Sequence, residues 1–189
     1  MTATSSADVV DILTTDHHEV LDLVQQIKTV EDANVRRDMA DTVIAELMRH
    51  SVAEEMYVYP VIREHFEDGD SVVSHDTDEH QQLEEIMKRL EGVDADDAQF
   101  LSVVDELEGA LRHHASDEED NQFPELRAKI PNEKLVELGE KVETAKKAAP
   151  TRPHPAAPHS ELFHKALGPG VGLVDRLRDK LTGRPNSAS

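Results

Sequence analysis

The stretch RHSVAEEMYVYP, residues 49–60, decides how this chain is read. His50 is followed at +4 by Glu54, at +5 by Glu55, at +9 by Tyr59 and at +10 by Pro60. The stretch RHHASDEEDNQFP, residues 112–124, repeats that order, with Glu118, Glu119, Phe123 and Pro124 at the same offsets from His114. A histidine and a glutamate four residues apart project from one face of an α-helix. Each stretch therefore presents an imidazole and a carboxylate side by side.

The repeat extends upstream of both stretches. His17 is followed by Val20, Leu23 and Ile27, and His80 by Leu83, Ile86 and Leu90, at matching offsets. His17 stands 33 residues before His50, and His80 stands 34 before His114. Apolar spacing by three and four predicts two helical hairpins of one pattern. The first helix is expected within residues 6–30, capped by the Thr/Ser cluster before it, and the second from about Val35 to Phe66 with a kink at Pro60. The third is expected over about Asp70–Leu90 and the fourth over about Asp96–Ala128, again with a late proline. A shorter fifth helix, Asn132–Lys146, carries an apolar face of Leu135, Val136, Leu138 and Val142.

The stripes decide which side chains face the interior. His50 and Glu54 lie on the stripe Val43, Leu47, His50, Glu54, Tyr57, Val61. The stripe Val104, Leu107, Leu111, His114, Glu118 selects His114 over His113. His17 sits between Leu13 and Val20, and His80 between Val73 and Leu83. The expected architecture is all-α: an antiparallel up-down four-helix bundle with a short extra helix. Four imidazoles and two carboxylates then point at its axis.

Composition agrees with helices packed on helices: there is no Trp, and there are only four Phe and two Tyr in 189 residues. One domain is expected over residues 1–147, bundle and fifth helix together. From 148 to 189 the chain reads as a Pro-rich linker and tail, holding six of the nine prolines. Within that tail GLVDRLRDKLTGR places Leu173, Val174, Leu177 and Leu181 on one side, the pattern of a short amphipathic helix. Residues 145–189 carry eight basic and three acidic residues, so the tail can lie on its own acidic domain. The net charge of −20 repels nucleic acid and anionic membrane surfaces. There is no signal-like start and no apolar run of about 18 residues, so a cytoplasmic protein without a membrane span is expected.

With no cysteine, a transition metal has to be held by histidine and carboxylate. Imidazoles and carboxylates buried without partners cost several kcal/mol each. Cations compensate directly. Iron, manganese or zinc suits these donors, and two carboxylates can bridge two cations about 3.5–4 Å apart. His17, His50, Glu54, His80, His114 and Glu118 suit two metals better than one, and leave positions open for water or a small molecule.

The stretches TTDHHEV, RHSVAEEMYVYP, DEHQQLEE and RHHASDEEDNQFPEL, spanning about residues 8–130, resemble the bacterial hemerythrin-like (HHE cation-binding) proteins. The resemblance implies a four-helix bundle around two non-haem irons, oxo- or hydroxo-bridged, with Mn or Zn as substitutes. The ligands it implies are His17, His50, Glu54, His80, His114 and Glu118, with the two glutamates as bridges. The oxygen carriers of that family have a HisxxxHis pair on the third helix, whereas here the residue four before His80 is Asp76 and the residue four after it is Glu84. They have an aspartate five after the helix-4 histidine, where this chain has Glu119. Fewer imidazoles and more carboxylate favour ferric iron, and point toward peroxide or dioxygen chemistry rather than oxygen carriage. The implied function is a di-iron protein binding or reacting with small oxidants in oxidative-stress defence, with catalase-like or peroxide-reducing activity. The alternative is a sensor of oxygen, nitric oxide or iron without turnover. Peroxide, dioxygen or nitric oxide is the expected partner, and a monomer or weak dimer the expected state.

Several residues beside the stripes have two readings. His18, His65, His75 and His113 are expected at the surface. Glu55 and Glu119 either hold ligands in place or lie on solvated faces. Tyr57 either approaches the metals or packs in the core. Tyr59 and Phe123 are expected to plug the bundle end. His154, His159 and His164 belong to the tail linker.

Overall fold

The computed structural model describes residues 7–154, Asp175, Asp179, Lys180 and residues 183–185. Helix α1 runs Val9–Thr29. Its cap is Asp8 rather than the upstream Thr/Ser cluster: the Asp8 carboxylate accepts from the Asp11 backbone, and the Asp11 side chain accepts from the Asp8 backbone. This reciprocal pair satisfies two of the donors that a helix start leaves open. Asp32 caps α2, Ala33–Tyr57, by accepting from the Asn34 and Val35 backbones.

The second helix does not continue through Pro60 as one kinked rod. It stops at Tyr57, turns at Val58 and restarts as α3, Tyr59–His65. Pro60 falls in the first turn of α3, where its missing N–H goes unneeded. The corresponding point in the second hairpin is handled differently. After α4, Gly69–Gly92, helix α5 spans Phe100–Asp117 and passes through a π-helical turn, Glu118–Gln122, into α6, Phe123–Lys129. α5 begins a few residues later than its apolar pattern suggests, because the Asp97 carboxylate binds the Gln99 backbone in a turn. Helix α7, Asn132–Ala148, matches the expected fifth helix, and buries Leu135, Leu138 and Val142.

α1 packs on α2 and α5, and α4 packs on α5 and α2, which closes a four-helix ring. α7 lies against α1 and α2. Its buried residues Leu135, Leu138, Val142 and Ala145 share an apolar cluster with Ala53 of α2, while Thr42, earlier on α2, lines a pocket with Asp179 and Arg184. The interior holds two apolar clusters. One contains Val24, Ile27, Ile44, Met87, Phe100 and Leu107. The other, toward α3, α6 and α7, contains Val9, Leu13, Ile62, Leu126 and Val142. The inward histidines fall at the boundary: along α1, Leu13 belongs to one cluster, His17 is buried next, and Val20 belongs to the other.

The chain beyond α7 returns to the bundle. Ala149 joins the first cluster, while Thr151 and Arg152 are buried. The Arg152 guanidinium pairs with Glu91 at 2.7 Å and with Asp179 at 2.8 Å, and Arg184 pairs with Glu91 and Asp41. Asp175, Asp179 and Lys180 are helical. Leu173, Val174, Leu177 and Leu181 of the expected amphipathic helix, and His159 and His164, lie outside the described residues. Among the described residues, no helix is long and apolar enough to cross a membrane.

One glycine fixes how α3 meets α4. A Cβ at Gly69 would collide with the Ile62 carbonyl oxygen and lie 2.8 Å from Arg63 Cα, both backbone atoms that cannot swing aside. Gly69→Ala should therefore destabilise the fold by about 1–3 kcal/mol through overpacking. Urea unfolding followed by circular dichroism checks this, and an unchanged midpoint would contradict the close approach.

Candidate metal centre

The helices bring together all six residues that the stripes select. His17, His50, Glu54, His80, His114 and Glu118 are each no more than 2 % exposed. One ligand atom from each of His17, His50, His114 and Glu118 lies within 4.8 Å of the others, and Glu54, His80 and His114 form an adjoining group. His17 Nε2 and His50 Nε2 face each other at 3.1 Å.

The glutamates span the two hairpins. Glu54 Oε2 lies 3.2 Å from His50 Nε2, on its own helix, and 3.4 Å from His80 Nε2, on the other hairpin. Glu118 mirrors this: Oε2 lies 3.3 Å from His17 Nε2, and Oε1 lies 3.7 Å from His114 Nε2. Neither oxygen of Glu54 accepts a well-formed hydrogen bond, and the same holds for Glu118 Oε2 and for His114 Nε2. Buried polar atoms are almost always satisfied. A cluster of lone pairs without protein partners, aimed at one space, is the donor set that a cation site needs.

The outer ring nitrogens explain how the imidazoles are aimed. His17 Nδ1 pairs with Glu119 Oε1 at 2.8 Å, and His80 Nδ1 with Glu55 Oε1 at 2.9 Å. His114 Nδ1 pairs with Glu79 Oε2 at 3.0 Å, and His50 Nδ1 with Asp16 Oδ2 at 3.3 Å. A carboxylate accepts, so each Nδ1 carries the proton and donates. A neutral ring then keeps its Nε2 lone pair for the interior. Glu55 and Glu119 are thus partners of inward histidines rather than members of a solvated face. Asp16 and Glu79 were not singled out from sequence, although each directly precedes a first-helix histidine of its hairpin, His17 and His80. Lys146 of α7 donates to both Asp16 oxygens at 2.7 Å, so the fifth helix braces the site as well as the core.

Tyr59, expected only to plug the bundle end, lies closer to the site than Tyr57. Its hydroxyl is 3.1 Å from His80 Nε2, and its ring stacks on His80 with centroids 5.5 Å apart. Phe123, its counterpart, stacks on His17 at 6.0 Å. Tyr57 ends α2 half-buried against the second apolar cluster. Asp76, four before His80, is completely buried. Its Oδ1 accepts from Gln122 Nε2 at 2.9 Å, and its Oδ2 has no partner. His18, His65, His75 and His113 are exposed.

Without a metal, protons take the cation's place. Burial opposes charge on His50, but the Glu54 and Asp16 carboxylates outweigh it and push its pKa up to about 10. Burial likewise opposes charge on His80, and the facing Glu54 and Glu55 carboxylates, Glu55 accepting from Nδ1, raise its pKa well above the usual value. Burial raises the Glu54 carboxyl, yet the facing His50 charge holds it well below the usual range. Asp76 is pushed up to about 7 by burial first and by the Glu118 charge second. Tyr59 is raised by burial and then by Glu54, which keeps its phenol protonated.

A buried, all-helical cluster of imidazoles and carboxylates defines the class: a four-helix-bundle cation-binding protein. The family model for the hemerythrin HHE cation binding domain matches residues 8–126, and the chain belongs to that family. It is 30 % identical over 176 residues to an uncharacterised hemerythrin-like protein of Schizosaccharomyces pombe, covering 93 % of this chain and 87 % of that one. It is also 21 % identical over 139 residues to a protein of Nostoc sp. named DNA nickase, covering 74 % of this chain and 39 % of that protein. No solved structure matches.

Metal binding here competes with protons. His50 is raised, so its proton is held up to about pH 10, and the stability that the proton gives the metal-free fold is complete below 6.5 and lost as pH rises through about 10. At neutral pH, metal uptake should release protons, and apparent affinity should rise with pH toward 10. Calorimetry in two buffers of different ionisation enthalpy measures this release; no buffer dependence would contradict the assignment.

Proposed function

We propose that the chain is a non-haem di-iron protein that binds and reacts with hydrogen peroxide or dioxygen, with His17, His50, Glu54, His80, His114 and Glu118 as ligands. The observation that carries this reading is the set of four imidazoles, each held at Nδ1 by a carboxylate, whose Nε2 atoms converge with Glu54 and Glu118. Neutral imidazole with bridging carboxylate suits iron, manganese or zinc, and carboxylate-rich sets favour the ferric state. Asp76 adds a further buried oxygen beside the cluster, with one atom unpartnered. When bound, a pair of irons supplies electron exchange with peroxide, so that two H₂O₂ yield O₂ and two H₂O.

The residues around the pair take defined roles. Asp16, Glu55, Glu79 and Glu119 hold the histidine Nδ1 protons and fix the rings. Tyr59 holds a proton at its hydroxyl beside the His80 position, and can donate it to an oxygen atom in the cavity. Apolar clusters above and below exclude bulk water from the layer. On the His17 side, a surface pocket of about 380 Å³ is lined by Val10, Thr14, Glu119, Phe123, Pro124 and Arg127. Glu119 and Phe123 both touch His17, so this pocket ends one side chain from the cluster.

The test is metal content followed by oxygen release. Protein expressed aerobically with iron should hold about two irons per chain, and His50→Ala or His114→Ala should abolish that content. An oxygen electrode should record O₂ evolution on addition of peroxide. Tyr59→Phe should lower that rate about 100-fold, the scale of a positioned proton donor, while leaving the iron in place. Iron uptake without oxygen release would favour the sensor reading, and no iron uptake would overturn both.

A further inference from the structure

Two more histidine–carboxylate pairs stand side by side on the outer face where α4 meets α5. His75 and Glu79 are four apart on α4, and His113 and Asp117 are four apart on α5. One ligand atom from each lies within 4.8 Å of the other three. His75 Nε2 is 3.4 Å from Glu79 Oε1 and 3.5 Å from Asp117 Oδ2. His113 Nε2 is 3.4 Å from the same Glu79 oxygen and 4.0 Å from the same Asp117 oxygen. Imidazole and carboxylate thus alternate around a four-membered ring of donors.

The spans match a particular coordination. Ligands at about 2.0–2.2 Å from a tetrahedral ion lie about 3.3–3.6 Å from one another. Three of the four measured edges already fall in that window. A second feature stands beside this alternation. Glu79 is 9 % exposed, and its Oε1 makes no hydrogen bond although two imidazole nitrogens face it. A buried oxygen without a donor, flanked by two nitrogens, is a ligand position.

We propose that His75, Glu79, His113 and Asp117 form a second, mononuclear site for a divalent transition metal of tetrahedral preference, with Zn²⁺ as the best match. The His75 and His113 side chains are 57 % and 67 % exposed, so the ion exchanges with solvent without any opening of the bundle. The site is joined to the interior by one carboxylate. Glu79 offers Oε1 to the surface ion, and Oε2 accepts from His114 Nδ1 at 3.0 Å. The surface site does not depend on which metal fills the interior.

The test counts zinc on the full-length chain. Metal-free wild type, the double variant His75→Ala/His113→Ala, the variant His50→Ala, and the triple combination are dialysed against Zn²⁺ and analysed for bound metal. The double variant is expected to hold one zinc fewer than wild type with unchanged circular dichroism, since both side chains are more than half exposed. That loss should add to the loss caused by His50→Ala. Equal zinc content in wild type and double variant would overturn the proposal. A deficit that disappears in the His50→Ala background would overturn it as well, because the surface pair would then act only through the buried centre.

Discussion

Negative charge and lone pairs buried in one layer must meet positive charge, and the rest of the structure is arranged around that demand. Glu54 and Glu118 are 0 % and 1 % exposed, and among the described residues neither is paired with a lysine or arginine. Among the described residues, the positive charge within reach is that of the imidazolium protons, and a metal ion is the alternative. In the metal-free protein the carboxylates retain protons on His50 and His80, which is why both rings are shifted upward. The two apolar clusters on either side raise the penalty for leaving the charge unmet, and so strengthen whatever cation arrives.

Much of this was legible in the sequence because helical periodicity is a strong signal. Spacings of three and four placed His17, His50, Glu54, His80, His114 and Glu118 among apolar neighbours, and all six are buried together. The carboxylates that orient the rings were harder to read. Asp16 and Glu79 sit one residue before His17 and His80, and Glu55 and Glu119 one residue after Glu54 and Glu118, each about 100° round its helix from the stripe. From sequence that direction looks like the edge of a solvated face. It becomes interior only once the neighbouring helix supplies an imidazole to meet it. A repeated acid next to a repeated inward histidine was the available clue.

Tyr57 and Tyr59 show where periodicity itself fails. The stripe of α2 continues through Tyr57 only if the helix does, and the helix ends there. Restarting at Tyr59 changes the phase, so the next aromatic turns toward His80 instead. In the second hairpin a π-helical turn at Glu118–Gln122 makes the comparable adjustment and sets Phe123 over His17. Hairpin symmetry then breaks in chemistry rather than in shape: Tyr59 answers Phe123, and Asp76 occupies the place of Leu13. One end of the cluster therefore carries a phenol and an extra acid, and the other end is hydrocarbon. Beyond α7, proline-rich composition marks a change of organisation, but ion pairs such as Arg152 with Glu91 depend on acids far away in sequence that no local pattern could single out.

Two of the four orienting contacts are also crossed. Glu55 of the first hairpin holds His80 of the second, and Glu119 of the second holds His17 of the first. Either hairpin alone would be a half-socket whose first-helix imidazole, His17 or His80, has lost its orienting carboxylate. Two separate halves could complete each other only by meeting in solution, at whatever dilution the cell imposes. Phe66–Asp68, the three residues that join α3 to α4, keep the halves at an effective concentration on the order of millimolar. That short tether turns a bimolecular encounter into an internal step of folding, so assembly of the cluster does not depend on how much of the protein is made.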